Sequence, residues 1–299
     1  NHKPDLILIF GAKDGVESAR HVFYKDREND IIVGYLNNNE SIDYFGYMKK
    51  MLLTIFNLKM IEKGNLPIHG AMINITLKNE KAFNIVLMGD SGAGKSESLE
   101  AFRTLAAEYI KEMQVIFDDM GYFSLKDGKV YGYGTEIGAF VRLDDLDKGY
   151  VYKTIDRSIF LNPDRVNARV VMPISTFETV NAGYPVEYFL YANNYEDGED
   201  LEFFNSADEA KKVFVAGKRM AKGTTNEMGL VTSYFANPFG PAQEQETTGA
   251  LIDQYFSKMF EMKTSVGQIR TRLGISGFEQ KGPLMAAKKL FDALVEDEK

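Results

Sequence analysis

The chain contains no cysteine. Disulfides, thiolate metal sites and a cysteine nucleophile are therefore excluded, and the cytoplasm is the expected compartment. Proline is sparse and dispersed, eight residues in 299, so no linker marks a domain boundary. Basic residues are in the minority, 35 Lys and Arg against 43 Asp and Glu, for a formal charge of −8. That balance argues against nonspecific binding to nucleic acid or to an anionic membrane. No apolar run approaches membrane-spanning length; Met51 to Leu58 is already interrupted by Thr54 and Asn57. The start, Asn1-His2-Lys3-Pro4-Asp5, has neither a signal-peptide pattern nor an initiator methionine, so a processed form or a piece of something longer is expected.

The remaining composition, 44% apolar and 26% charged, is that of a globular chain. With no repeat or low-complexity segment, residues 1–299 read as one unit. Asp5 to Phe10 and Ile31 to Tyr35 are strand candidates separated by a charged loop. Tyr44 to Ile61 carries apolar residues at 45, 48, 52, 55 and 56, a helical spacing. Gly64 to Pro67 breaks that helix, and strands are expected over Ile68 to Leu77 and Phe83 to Met88. A helix over Lys95 to Ile110 follows. Val115-Ile116-Phe117 ends in Asp118-Asp119, and Phe123 to Tyr133 reads as a hairpin closed at Lys126-Asp127-Gly128-Lys129. Further strands are expected over Ile137 to Leu143, Ala168 to Ile174 and Val186 to Ala192. Helices are expected over Ala207 to Met220, Thr248 to Met262 and Pro283 to Glu296. Many strands with few crossover helices imply an α/β fold around a mixed, bent sheet.

Residues 89–96 read Gly89-Asp90-Ser91-Gly92-Ala93-Gly94-Lys95-Ser96, a complete G-x-x-x-x-G-K-S phosphate-binding loop between the Phe83–Met88 strand and the Lys95 helix. The glycines let successive N–H groups face a polyphosphate at the positive end of a helix. Lys95 would reach the β- and γ-phosphates, and the Ser96 hydroxyl would ligate a bridging Mg²⁺. Asp118-Asp119, some twenty residues on, is placed to hold the nucleotide's metal as Walker-B acids do, or is plain surface charge. His69, one of three histidines, begins the strand before the loop strand. The Lys49-Lys50 pair alone would read as a solvated helix face.

Taken together, the segment Tyr44-Phe45-Gly46-Tyr47-Met48-Lys49-Lys50, His69, the loop and the Asp pair resemble phosphoenolpyruvate carboxykinase of the ATP-dependent type. The resemblance implies that Lys50 and His69 bind a transition metal, usually Mn²⁺, and that Tyr44 lies near the substrate. It also implies that Ser96 and Asp119 serve the nucleotide-side metals. A neutral lysine ligand requires a pKa depressed by the metal and by desolvation. Asn167-Ala168-Arg169-Val170-Val171-Met172-Pro173-Ile174 is similar to a family strand whose arginine bridges the transferred phosphoryl group and the substrate, which implies that role for Arg169. Met220 to Gly240 resembles the family's mobile, water-excluding lid segment and the strand after it. Gln268 to Arg272 falls where the family has a basic nucleotide-binding stretch, which carries Arg272 over. The implied activity is ATP- and divalent-metal-dependent phosphoryl transfer to a small carboxylate, with oxaloacetate converted to phosphoenolpyruvate, CO2 and ADP. The likeness spans the family's C-terminal portion only; its N-terminal lobe has no counterpart here.

Departures concentrate on substrate recognition. A family glutamate is Tyr47 here, Cys-Ser-Ala becomes Gly70-Ala71-Met72, the loop's second threonine becomes Glu97, and an expected lysine near 138–142 has only Phe140 or Arg142 close by. The loop with Glu97 is closer to bacterial HPr kinase/phosphorylase, in which an Asp of the pair acts as base on a protein hydroxyl, as Asp118 or Asp119 would here. A nucleotide-binding module without turnover is the third reading.

Overall fold

Residues 3–12, 21–37, 45–142, 159–161, 169–221 and 228–297 are described by a computed structural model of the chain. Three strands come first: β1 (Leu6–Ala12), β2 (His21–Asp26) and β3 (Ile31–Asn37). They form a small sheet with β3 in the centre, parallel to β1 and antiparallel to β2. The charged stretch expected as a loop therefore contains a strand; β2 is a largely accessible edge strand with neither a clean alternation nor an apolar run. Helix α1 (Phe45–Glu62) packs Met51, Ile55 and Leu58 against Ile32 and Leu36 of β3.

The main body starts with β4 (Leu66–Leu77), β5 (Ala82–Met88), α2 (Lys95–Tyr109), β6 (Ile110–Lys126) and β7 (Lys129–Gly134). A separate three-stranded sheet has β8 (Gly138–Arg142), β9 (Ile159–Leu161) and β10 (Arg169–Pro173), with β10 central and antiparallel to both neighbours. Then come α3 (Phe177–Ala182), β11 (Tyr184–Pro185), β12 (Tyr188–Asn193), β13 (Leu201–Phe203), α4 (Ala207–Ala216), the two-stranded pair β14 (Lys218–Met220) and β15 (Leu230–Thr232), a 3-10 turn over Tyr234–Ala236, α5 (Gln245–Glu261), β16 (Ser265–Arg270) and α6 (Lys281–Glu296).

The large sheet runs β11-β7-β6-β4-β5-β12-β16-β13. Strands β5, β12 and β16 are mutually parallel, whereas β4, β6, β7, β11 and β13 join by antiparallel pairs. The fold is thus mixed α/β around a mixed sheet. Both faces of that sheet are covered, which explains strands that read as continuous apolar runs. On β5, Val86 and Met88 enter one core with Phe214 of α4 and Tyr255 and Phe256 of α5. Phe83, Ile85 and Leu87 enter the other with Phe102 of α2 and Phe291 of α6. Phe189, Phe214 and Phe256 pack with centroids 4.5 to 5.8 Å apart in the first core.

Local chemistry sets several ends. α4 starts on Ser206, whose hydroxyl accepts from Glu209 N–H, and stops at Gly217 in the left-handed region. A Cβ on Gly217 would lie 1.9 Å from the Ser233 carbonyl oxygen, so the helix expected to reach Met220 ends there and the chain turns into β14. Among the described residues, no helix is long and apolar enough to cross a membrane.

Candidate functional site

The three parallel strands deliver their carboxyl ends to one rim, the place where open α/β sheets put ligands. From β5 comes the loop Gly89–Ser96. From β12 come Asn193 and Asn194, and from β16 comes Thr271. Asn194 Nδ2 donates to the Gly92 carbonyl at 3.0 Å and Thr271 Oγ1 to the Ala93 carbonyl at 2.8 Å, so the loop is braced from below. Gly92 and Gly94 adopt φ of 81° and 110°. Their amide groups find no acceptor among the described residues, and the first-turn amides of α2 lack intrahelical partners by construction. Such a row of unpaired donors is an anion cradle.

Gly94 sits so close to Thr271 that a Cβ would lie 2.6 Å from Oγ1. With its positive φ added, Gly94→Ala is expected to cost about 2 kcal/mol or more, read by urea denaturation.

Lys95 is 7% exposed and is folded back into the loop. Its Nζ donates to Gly89 O at 2.6 Å and Asp90 O at 3.3 Å, and lies 3.2 Å from His69 Nε2. Burial pushes the lysine pKa down, against the pull of Asp119 and Asp90. His69 reaches this point from β4, and its Nδ1 lies 2.8 Å from the Ala236 carbonyl oxygen. A carbonyl only accepts, so Nδ1 carries the proton and Nε2 of the neutral ring presents a lone pair to Lys95. Burial, reinforced by Lys95, lowers the His69 pKa and keeps the ring neutral. The carbonyl is aimed by backbone in the left-handed region at Phe235 (φ 48°) and Ala236 (φ 41°), conformations that cost non-glycine residues roughly 1–2 kcal/mol each.

Asp119 completes the cluster from β6, where it pairs with Gly70 next to His69. One oxygen, Oδ1, is 3.3 Å from His69 Nε2; the other accepts from Lys49 Nζ at 2.7 Å. Burial opposes its charge, but the Lys49 ammonium holds the carboxyl well below the usual range. Its φ of 116° is unusual for a non-glycine residue, and the backbone is strained where the carboxylate is aimed. Asp118 pairs instead with Ala71; burial and then the Asp119 charge raise its pKa, and its carboxylate makes no ion pair among the described residues.

Lys49 is 12% exposed and bridges two acids, Asp119 and Glu136, the latter at 3.2 Å. Burial opposes its charge, yet the two carboxylates raise its pKa. Glu136 is pushed up to about 7, by burial first, against Lys49 and with Asp119. A carboxyl that holds its proton more tightly when folded stabilises the fold below its ordinary value of 4.5 and loses that contribution as pH rises through about 7. Glu136→Gln is therefore expected to flatten the decline in stability across that window, by up to ~3 kcal/mol. Denaturation midpoints at stepped pH check this.

The expected site residues separate under this geometry. The loop, Lys95, His69 and Asp119 converge. Lys50 does not join them: it is exposed, its Nζ lies 5.6 Å from the Tyr47 ring centroid and 5.8 Å from that of Phe239, and it makes no ion pair with His69 or Asp119. Consecutive helix residues point about 100° apart, so only one lysine of the pair faces the cluster, and it is Lys49. The Lys50–His69 metal pair is thus corrected to a Lys49–Asp119 ion pair beside His69. Arg272 is buried and committed to protein acceptors, with Nε 2.9 Å from Asp197 Oδ1 and further bonds to Asp200 and the Gly198 carbonyl, rather than open to a nucleotide. Ser96 is exposed on the first turn of α2, and Glu97 is half-buried beside it. Arg169 begins β10, in the three-stranded sheet. Tyr44 and residues 222–227 of the expected lid lie outside the described residues.

Sequence reasoning missed Glu136 and Arg219, whose Nε donates to Asp90 Oδ2 at 3.0 Å. Neither lies in a motif; both arrive through long-range packing. Among the described residues no group of three or more His, Asp or Glu side chains is placed to hold a metal alone. A pair does fit one: the unprotonated His69 Nε2 and Asp119 Oδ1, 3.3 Å apart, are a nitrogen and oxygen donor set suited to a divalent ion completed by phosphate and water. No protein-family model matches the chain, and no curated protein matches it.

Proposed function

We propose that the chain is a nucleoside-triphosphate-dependent phosphotransferase of the carboxykinase type, acting on a small carboxylate with ATP as donor. The carrying observation is the convergence of Lys95, His69 and Asp119 at the mouth of a braced phosphate loop. The loop amides and Lys95 would bind the β- and γ-phosphates, which requires Lys95 to exchange its contacts with Gly89 and Asp90 for phosphate oxygens. Ser96, Asp119 and His69 are the residues that would hold divalent metal, which supplies charge neutralisation at the phosphoryl group. Lys49, fixed by two carboxylates, adds a positive charge beside the transfer path.

A second reading is favoured by one observation, the displacement of Lys50 from the cluster. It is transfer to a hydroxyl group, as in HPr kinase, with Asp118, which makes no ion pair among the described residues, as the carboxylate that accepts the hydroxyl proton. The two readings separate in one assay series. A carboxykinase forms phosphoenolpyruvate from oxaloacetate and ATP with Mn²⁺, and His69→Ala abolishes it. A hydroxyl kinase ignores oxaloacetate and transfers label from γ-labelled ATP to an alcohol or a protein. An absence of any ATP-induced thermal stabilisation would overturn both.

A further inference from the structure

A cleft of about 530 Å³ lies between α1, β2 and the segment that follows the 3-10 turn. One wall is α1, which presents Tyr47, Lys50, Met51 and Thr54; β2 supplies His21, Val22 and Phe23, and the far side carries Phe239 and Gln243. It shares two structural members with the phosphate site. Lys49, next to Lys50 on α1, is ion-paired to Asp119. Phe239 lies three residues beyond Ala236, whose carbonyl fixes His69, and its own carbonyl accepts from Asn57 of α1 at 2.7 Å.

Among the described residues the lining is mostly apolar, with Lys50 its one lysine and His21 its one histidine. Lys50 Nζ is held near the faces of Tyr47 and Phe239 and, among the described residues, has no carboxylate partner. An exposed lysine near two aromatic rings of a cleft, with no carboxylate partner among the described residues, is suited to an incoming anion. Its apolar neighbours Val22, Phe23, Met51 and Phe239 would cover a hydrocarbon or aromatic body. One lysine matches one negative charge. A second carboxylate would lie unpaired against those apolar walls, a costly placement.

From this we infer that the cleft is the acceptor site and that its ligand is an amphipathic monocarboxylate carrying a hydroxyl group, not a dicarboxylate. The carboxylate pairs with Lys50, and the apolar body rests on Met51 and Phe239. The fate of the acceptor, though not its binding, rests on the second, hydroxyl-transfer form of the phosphotransferase reading and not on the carboxykinase form, whose oxaloacetate is a dicarboxylate. In transfer, the hydroxyl oxygen bonds to the γ-phosphorus. The bond from that phosphorus to the β–γ bridging oxygen breaks with its electron pair passing to ADP. The hydroxyl proton goes to a carboxylate of the Asp118–Asp119 pair.

Titration calorimetry tests the assignment with 3-phenyllactate and 2-hydroxy-4-methylpentanoate as probes, and with malate and 3-phenylpropane-1,2-diol as the dianionic and uncharged comparisons. Both probes are expected to bind at least tenfold tighter than malate or the diol. Lys50→Met is expected to remove that preference over the diol and Lys50→Arg to restore most of it, each variant being checked for folding by thermal denaturation. Equal binding of all four compounds, binding of none at millimolar concentration, or an unchanged preference in a folded Lys50→Met protein would overturn the assignment. Binding of the probes by a protein that does not bind ATP leaves the cleft assignment standing and overturns the phosphotransferase reading. ATP binding without probe binding does the reverse.

Discussion

Lys95→Ala is expected to eliminate stabilisation by ATP and to lower nucleotide turnover by about 10²–10³-fold or more, the usual scale for deleting a preorganised charge from a phosphoryl site. The reason is geometric. The ammonium group is buried at the loop mouth, already desolvated, with His69 and two loop carbonyls as its close partners among the described residues. A γ-phosphate therefore meets a charge whose desolvation was met during folding. Alanine also removes the lysine stem and takes its donor from the Gly89 carbonyl, while the Asp90 carbonyl keeps the Ala93 N–H, so stability falls as well. Lys95→Met keeps most of the stem and separates the effects. A folded Lys95→Met protein that binds ATP with wild-type affinity in a fluorescence titration would contradict the assignment of the loop.

The second large effect is expected at Asp119, which serves Lys49 with one oxygen and faces His69 with the other. Asp119→Asn keeps the shape and removes the charge, leaving buried Lys49 with Glu136 alone. The aspartate side chain is 39% exposed, so solvent screening reduces the loss below that of a fully buried pair, to about 1–3 kcal/mol. Its depressed pKa means that this contribution is complete above the ordinary carboxylate range and disappears as pH falls through the lower folded value. The acid limb of the wild-type stability profile should therefore be shallower in the variant. Turnover is expected to fall 10²–10³-fold with a raised Mg²⁺ requirement, because the carboxylate is a nucleotide-metal donor in this reading. Asp119→Gly removes the same charge but relieves the backbone at φ 116°, and should be more stable than Asp119→Asn by roughly 1 kcal/mol. If Asn and Gly variants keep wild-type activity, Asp119 has no part in the chemistry.

Much of the architecture could be read along the chain because its signals are local. β4 and β5 are long apolar runs, and the Asp127-Gly128 turn closes the β6–β7 hairpin with positive φ at both residues. Elements without a strong period were harder. β2 and β16 carry no such signal, since a strand flanked by charge or covered on both faces has no clean alternation. The helical pattern of α4 continues through Gly217, because the carbonyl that forbids a side chain there belongs to Ser233, distant in the pattern.

The sequence alone determined the phosphate loop, its strand and its helix, because glycine φ values, consecutive amides and a following helical segment are properties of neighbouring residues. It also placed His69 and the Asp pair on strands flanking that loop. Tertiary structure alone decided which lysine faces them. The rotation of α1 against β3 and β4 turns Lys49 inward and Lys50 into the cleft, and helix rotation is set by packing on other elements. The same holds for Glu136 and Arg219, and for the acids that occupy Arg272. Charge pairing inside a fold depends on strand order and helix azimuth, and neither is written in the local spacing of residues.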